Sequence, residues 1–163
     1  MNNAEVEKLL DDCTNELVQV KAIIDGLGIT SNIAPYLTKY SLIRACGTIE
    51  QSFKSVVADF CSWRCKKQLK RFLGQRVRDS SMNPSYSNIC KLVKDFDETW
   101  LATFKASVDG AANNSSLMTS LQSLVDARND FSHGGSPSVT IGDVLTYYAH
   151  SRAIIEMLDA SVV

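Results

Sequence analysis

A strong net charge, a long apolar run and the common catalytic signatures are all missing from this sequence of 163 residues. Lys and Arg number 17 against 18 Asp and Glu, so the net charge is −1. There is no overall pull toward nucleic acid, and any surface for a polyanion must be local. No apolar stretch approaches the length that spans a bilayer. The opening Met1-Asn-Asn-Ala-Glu-Val-Glu is acidic where a signal peptide would be basic. The expectation is a cytoplasmic protein with no membrane partner. The five cysteines (Cys13, Cys46, Cys61, Cys65 and Cys90) are odd in number and mostly set in apolar stripes. Cys61 and Cys65 could share a helix face, but no second Cys/His pair completes a zinc site. They read as reduced packing residues, and neither metal nor cofactor is expected. No internal repeat, Gly-rich phosphate loop, Ser/His/Asp or Cys/His arrangement, or paired-carboxylate site is found.

What is present is helical periodicity in an ordinary globular composition, 45% hydrophobic and 21% charged. Asn2 reads as the cap of a first helix, with Glu5 in capping-box position. Its seam is Val6, Leu10, Cys13, Leu17, Val20, Ile24 and Leu27, closed by Gly26 or Gly28. A connection from Gly28 to Pro35 leads to a long helix from about Tyr36 to Trp63. There Leu42, Cys46, Ile49, Phe53, Val56, Phe60 and Trp63 repeat at steps of four and three, the pattern of a central bundle helix. Glu50 follows Ile49 and should lie at the edge of the buried stripe. After a polar loop from Asp79 to Ser87, Ile89, Leu92, Val93, Phe96 and Trp100 predict a short helix breaking near Asp97, with Leu101, Phe104 and Val108 continuing the pattern. Ser115 or Ser116 is expected to cap the next helix. Thr140 and Asp143 form a capping-box-like pair before a last helix with Ile141, Val144, Leu145, Tyr148, Ile155 and Leu158 inward, and His150 structural or exposed. The expected fold is a single all-α domain over residues 1–163, an up-and-down bundle of about five to six helices.

Two stretches carry chemistry. Between Arg64 and Arg78 lie seven of the 17 Lys and Arg, with no acid among them. Leu69, Phe72, Leu73 and Val77 give this stretch an apolar side, which predicts a helix with one basic face. Arg64, Lys66, Lys67, Lys70 and Arg71 could track a phosphate backbone without reading sequence; a merely solvated face is the alternative. The second stretch starts with Leu117, Leu121, Leu124 and Val125 at helical spacing and stops at Gly134-Gly135, a C-cap signal. Its last turns hold Arg128, Asn129 and His133. An arginine keeps its charge and offers a planar fork of donors suited to phosphate. A histidine titrates near neutrality. Together they form a minimal kit for phosphodiester chemistry, although cations also suit the negative end of a helix for purely electrostatic reasons.

The string Arg-Asn-x-x-x-His-Gly from Arg128 to Gly134 resembles the Arg-x(4–6)-His signature of the HEPN superfamily, the higher eukaryotes and prokaryotes nucleotide-binding domains. The likeness extends from about residue 36 onward. Ser41 to Glu50 resembles the second helix of the RiboL-PSP branch, Asn83 to Leu92 its middle segment, and Ser138 to Tyr147 its closing helix. The resemblance implies a metal-independent endoribonuclease of toxin–antitoxin or phage-defence type, in which the RNA's own 2′-hydroxyl attacks the adjacent phosphate. It assigns proton transfer to His133, phosphorane charge to Arg128, and supporting roles to Asn129 and Glu50, the latter through an acidic residue near the Arg/His site; Arg44 is suggested in the same way. It also implies a homodimer that brings two Arg–His sets into one cleft, and an antitoxin or nucleotidyltransferase partner; the nearly balanced charge points to a restricted RNA substrate, such as a tRNA loop, or to a partner that supplies the substrate.

On a regular helix five residues turn through about 500°, leaving Arg128 and His133 roughly 140° apart in projection. They converge only if the helix loosens before Gly134 or a second copy supplies partner groups. Some family toxins carry a tyrosine two residues after the histidine, modified by the partner enzyme. Here that position is Gly135, so neutralisation by tyrosine adenylylation does not carry over. The rival expectation is a non-catalytic HEPN module for interaction or nucleotide sensing.

Overall fold

The computed structural model describes residues 1–28 and 31–163. Among these residues seven α-helices run in order: α1 Ala4–Leu27, α2 Ala34–Ser62, α3 Lys67–Leu73, α4 Tyr86–Phe96, α5 Glu98–Asp109, α6 Asn114–Ser132 and α7 Ile141–Ser161. A π-helical turn, Gly74–Arg78, continues α3. No strand occurs among the described residues, so the all-α expectation holds. The predicted connection from Gly28 to Pro35 lies partly outside them, at residues 29 and 30. The count exceeds five or six because Asp97 makes a full break. Its backbone is extended, and its carboxylate accepts from the Thr99 and Trp100 amides at 2.6 and 3.0 Å, so one residue ends α4 and caps α5.

Helices α2 and α7 hold the centre. Helix α2 packs on α1, α6 and α7, while α7 also meets α1, α5 and α6. The predicted seams supply the contacts: Val6, Leu10, Cys13 and Leu17 of α1, Leu42, Ile49 and Phe53 of α2, and Val144, Tyr148 and Leu158 of α7 are all buried in one cluster. Each such Leu, Ile or Phe contributes about 1.5–3 kcal/mol by leaving water. The buried Tyr148 hydroxyl is satisfied by donating to the Leu10 carbonyl at 2.8 Å, which ties α7 to α1.

Several details differ from the sequence reading. Asn3, not Asn2, caps α1 by accepting from the Val6 amide at 3.0 Å. Asn2 is drawn off to Asp159, to which its backbone amide donates. Helix α6 begins at Asn114, ahead of Ser115 and Ser116, and Asn113 at its N-cap makes no side-chain cap bond. The α1 seam fades at its end, with Ile24 half-buried and Leu27 exposed. The capping box at Thr140 and Asp143 forms with both reciprocal bonds. His150 is structural, its Nδ1 lying 2.7 Å from the Ser120 hydroxyl.

Candidate functional site

The end of α6 is built by its glycines. Gly134 adopts φ 88°, the left-handed region open to glycine. Its amide donates to the Phe131 carbonyl at 3.1 Å, and the Gly135 amide reaches the Asp130 carbonyl at 2.9 Å. This pair of crossed bonds is a Schellman cap, and it satisfies carbonyls that the helix end would leave open. The regular helix thus stops at Ser132, and the backbone loosens at His133 itself. The imidazole is exposed and takes no side-chain hydrogen bond among the described residues. At Gly135 a Cβ would fall 2.0 Å from Asp130 Oδ1, so any larger residue requires that carboxylate to move.

Arg128, five residues earlier, turns toward α2. Its Nη2 lies 3.7 Å from Glu50 Oε2. That separation is a charge contact, too long for a hydrogen bond, so the guanidinium fork keeps donors to offer. The other Glu50 oxygen is fully engaged: Oε1 accepts from Lys54 Nζ at 2.9 Å and from the Met82 amide at 3.0 Å. Lys54 is only 5% exposed, and its Nζ also donates to the Ser80 carbonyl at 2.5 Å. Glu50 is thereby neutralised from behind by Lys54. Burial pushes the Cys46 thiol above its ordinary pKa, while the neighbouring Arg128 charge pulls the other way. Beside this cluster Asn83 Nδ2 donates to Asn129 Oδ1 at 3.3 Å, and Asn88 Nδ2 donates to the Asn83 carbonyl at 2.9 Å. Asn83 Oδ1 is buried with no partner. The loop after the π turn is therefore pinned to α2 and α6 at Ser80, Met82 and Asn83.

A family model for RiboL-PSP-HEPN domains matches residues 3–163, nearly the whole chain. The chain belongs to that family. Searches of curated proteins and of solved structures returned no match. The match extends the likeness, first seen from about residue 36, back through α1. HEPN domains include ribonucleases and nucleotide-binding modules.

Within this HEPN domain the predicted residues divide. Arg128 meets Glu50, and Asn129 meets Asn83 beside them, whereas His133 is tied to this cluster only by its backbone amide, which donates to the Asn129 carbonyl at 3.0 Å. Arg44 is committed elsewhere: its Nε donates to Glu16 Oε2 at 2.7 Å and its Nη1 to the Thr48 hydroxyl at 2.7 Å. Lys54 and Asn83 were not singled out from the sequence. The one available signal for Lys54 was its i, i+4 spacing from Glu50.

The basic stretch also departs from its expected shape. Its helical part is short, and only Leu73 and Val77 turn inward, while Leu69 and Phe72 are exposed. Phe60 and Trp63, expected in the α2 seam, are exposed as well. Arg64, Lys66, Lys67, Lys70 and Arg71 form no ion pair among the described residues; Arg78 pairs with Asp59. Cys65 Sγ donates to the Cys61 carbonyl, and no metal-holding group of His, Cys, Asp or Glu side chains occurs among the described residues.

Proposed function

We propose that this HEPN protein is an endoribonuclease of the toxin–antitoxin or phage-defence kind, cleaving RNA through attack of the 2′-hydroxyl on the adjacent phosphate, without a metal. The observation that carries the reading is the state of Arg128: braced by a Glu50 whose charge Lys54 already balances, it can turn its donors to a phosphate. His133 stands at the open end of the same helix and moves the protons, Arg128 stabilises the charge gathering on the phosphorane, and Asn129, held by Asn83, fixes the helix end. The products are a 2′,3′-cyclic phosphate and a free 5′-hydroxyl.

No hydrogen bond joins the Arg128 and His133 side chains, and the reading completes the site with a second copy. An exposed apolar surface supports such a homodimer: Ile33, Tyr36, Tyr40 and Ile43 of the α2 start, with Val18 and Ile23 of α1, face solvent. It adjoins the motif helix, since Lys39 on the same part of α2 stacks 5.4 Å above the Phe131 ring and approaches Ser136 at 3.4 Å. A patch of this kind marks an interaction site. The substrate is a restricted one, such as a tRNA loop, given the balanced net charge, and the natural inhibitor is an antitoxin protein. Adenylylation at the position of Gly135 is not part of the proposal.

The absence of a hydrogen bond between the Arg128 and His133 side chains also favours a second reading, a non-catalytic phosphate-binding module. Purified protein incubated with total RNA in EDTA decides between them. Fragments with 2′,3′-cyclic ends, lost by about 10²-fold or more in His133→Ala and Arg128→Ala, are expected. His133→Ala leaves the fold intact, because the side chain is exposed. Intact RNA, or unchanged cleavage in either variant, overturns the nuclease assignment.

A further inference from the structure

We infer that the corner where α2 turns into α3 is a docking ledge for single-stranded RNA, with bases stacked on Trp63 and Phe72 and phosphates held by Lys66, Lys67, Lys70 and Arg71; it rests on the ribonuclease reading for the choice of RNA over DNA. Trp63 is 72% exposed and Phe72 56%, a costly placement for two large rings unless something covers them. Arg64, between them in sequence, has φ 60°, which is uncommon for any residue but glycine. That turn stacks its guanidinium 4.3 Å from the Trp63 ring, so one edge of the ledge is already a cation–π pair. Lys67, Lys70 and Arg71 follow at i, i+3 and i+4, which places them on one face of α3. Leu73 and Val77 bury the other side and fasten it to the bundle.

Aromatic faces beside a row of unpaired cations are the means by which proteins hold unpaired strands whatever their sequence, because every base has a face to stack while a duplex hides it. An acidic lipid surface would satisfy the same charges, but membrane-lying helices bury a long apolar face, and α3 exposes only Leu69 and Phe72. A groove of about 450 Å³ between Glu50 and Lys54 on one side and Arg78 and Asp79 on the other lies between α2 and the π turn that follows α3. Trp63 lies roughly 20 Å along α2 from Glu50 at 1.5 Å per residue. A strand bound at both places therefore spans several nucleotides.

The test is fluorescence anisotropy with a 5′-labelled 2′-O-methyl oligoribonucleotide of about 12 nucleotides and no self-complementarity, which cannot be cleaved through a 2′-hydroxyl. Trp63→Ala is expected to weaken binding about tenfold, with Trp63→Phe restoring most of it. Lys67→Ala with Lys70→Ala is expected to reduce the slope of log K against log salt by about 1.4. The corresponding duplex binds more weakly. An unchanged Kd in Trp63→Ala, equal binding of the duplex, or binding of phosphatidylserine vesicles with none of the oligonucleotide overturns the ledge. Failure of the nuclease reading appears separately, in the cleavage assay: binding that depends on Trp63 without any cleavage keeps the ledge, and cleavage without it discards the ledge alone.

Discussion

Lysine is used in opposite ways within α2 and just beyond it. Lys54, in the body of the helix, is almost wholly buried, and its ammonium is divided between Glu50 and the Ser80 carbonyl. Lys66, Lys67 and Lys70, just past the helix end, stand in solvent with no acid to pair with among the described residues. A buried charge persists only when its partners replace the water it lost, so Lys54 is part of the frame that aims Glu50 at Arg128. The exposed lysines hold nothing together and remain free for an outside anion. The same residue type thus serves geometry in one place and availability in the other, and burial decides which.

The largest effect that breaks this contrast is Lys54→Ala. Removing one member of a buried pair leaves Glu50 half-satisfied, and a loss of about 3–5 kcal/mol in unfolding free energy is expected. Lys67→Ala, the comparison variant, stays within about 0.5 kcal/mol of wild type. Urea denaturation followed by circular dichroism reads both. Equal midpoints for the two variants would show that the Glu50 cluster is incidental to the fold. Lys54→Met combined with Glu50→Gln is expected to recover part of the loss, because the unpaired charge is then gone too.

The contrast also shows which parts of the molecule were readable from the chain. The inward faces of α1, α2 and α7, the break at Asp97 and the Thr140–Asp143 box all depend on residues close in sequence, and periodicity or capping chemistry reports these directly. Phe60, Trp63, Leu69 and Phe72 kept the apolar rhythm yet point to water, since spacing says which face a residue shares and nothing about whether a neighbour covers that face. Lys54 was hidden for the converse reason. Its i, i+4 partner Glu50 was visible, but Ser80, whose carbonyl helps to bury it, belongs to a loop that folds back over α2. Asn83 meets Asn129 only through tertiary packing. The nearness of Glu50 to Arg128 came from the family likeness; helix geometry placed Glu50 no further than the edge of the buried stripe. Cysteines read as packing residues fit Cys13 and Cys46, which are buried, better than Cys61, Cys65 and Cys90, which are half-buried.

Between the two regimes lies the end of α6, where an exposed side chain sits on a fixed backbone. Gly134→Ala tests that combination. Its left-handed backbone costs a residue with Cβ about 1–2 kcal/mol, although nothing lies near the added carbon. The expected result is a loss of this size in stability together with a fall in RNA cleavage, since His133 takes its position from the same cap. A thermal midpoint equal to wild type would show that the cap relaxes freely and that His133 does not depend on it.

The smallest effect sharpens the comparison by separating exposure from idleness. Asp143 is far less enclosed than Lys54, yet its carboxylate accepts from the Thr140 amide at 2.9 Å and from the Thr140 hydroxyl at 2.7 Å. These bonds, the backbone one foremost, hold its pKa below the ordinary carboxylate range. A carboxylate whose folded pKa is depressed lends stability that is present above its unfolded pKa, about 3.9, and lost as the pH falls through the lower folded value. Asp143→Asn imitates the protonated acid. Wild type is expected to exceed it by about 0.5 kcal/mol near neutrality, a modest figure because solvent and salt screen a charge at an open helix start. The two urea midpoints should then converge as the pH drops below the ordinary carboxylate range. A gap that persists in acid would trace the difference to the shape of the amide, and the division between working and idle surface charges would then have to be drawn on packing alone.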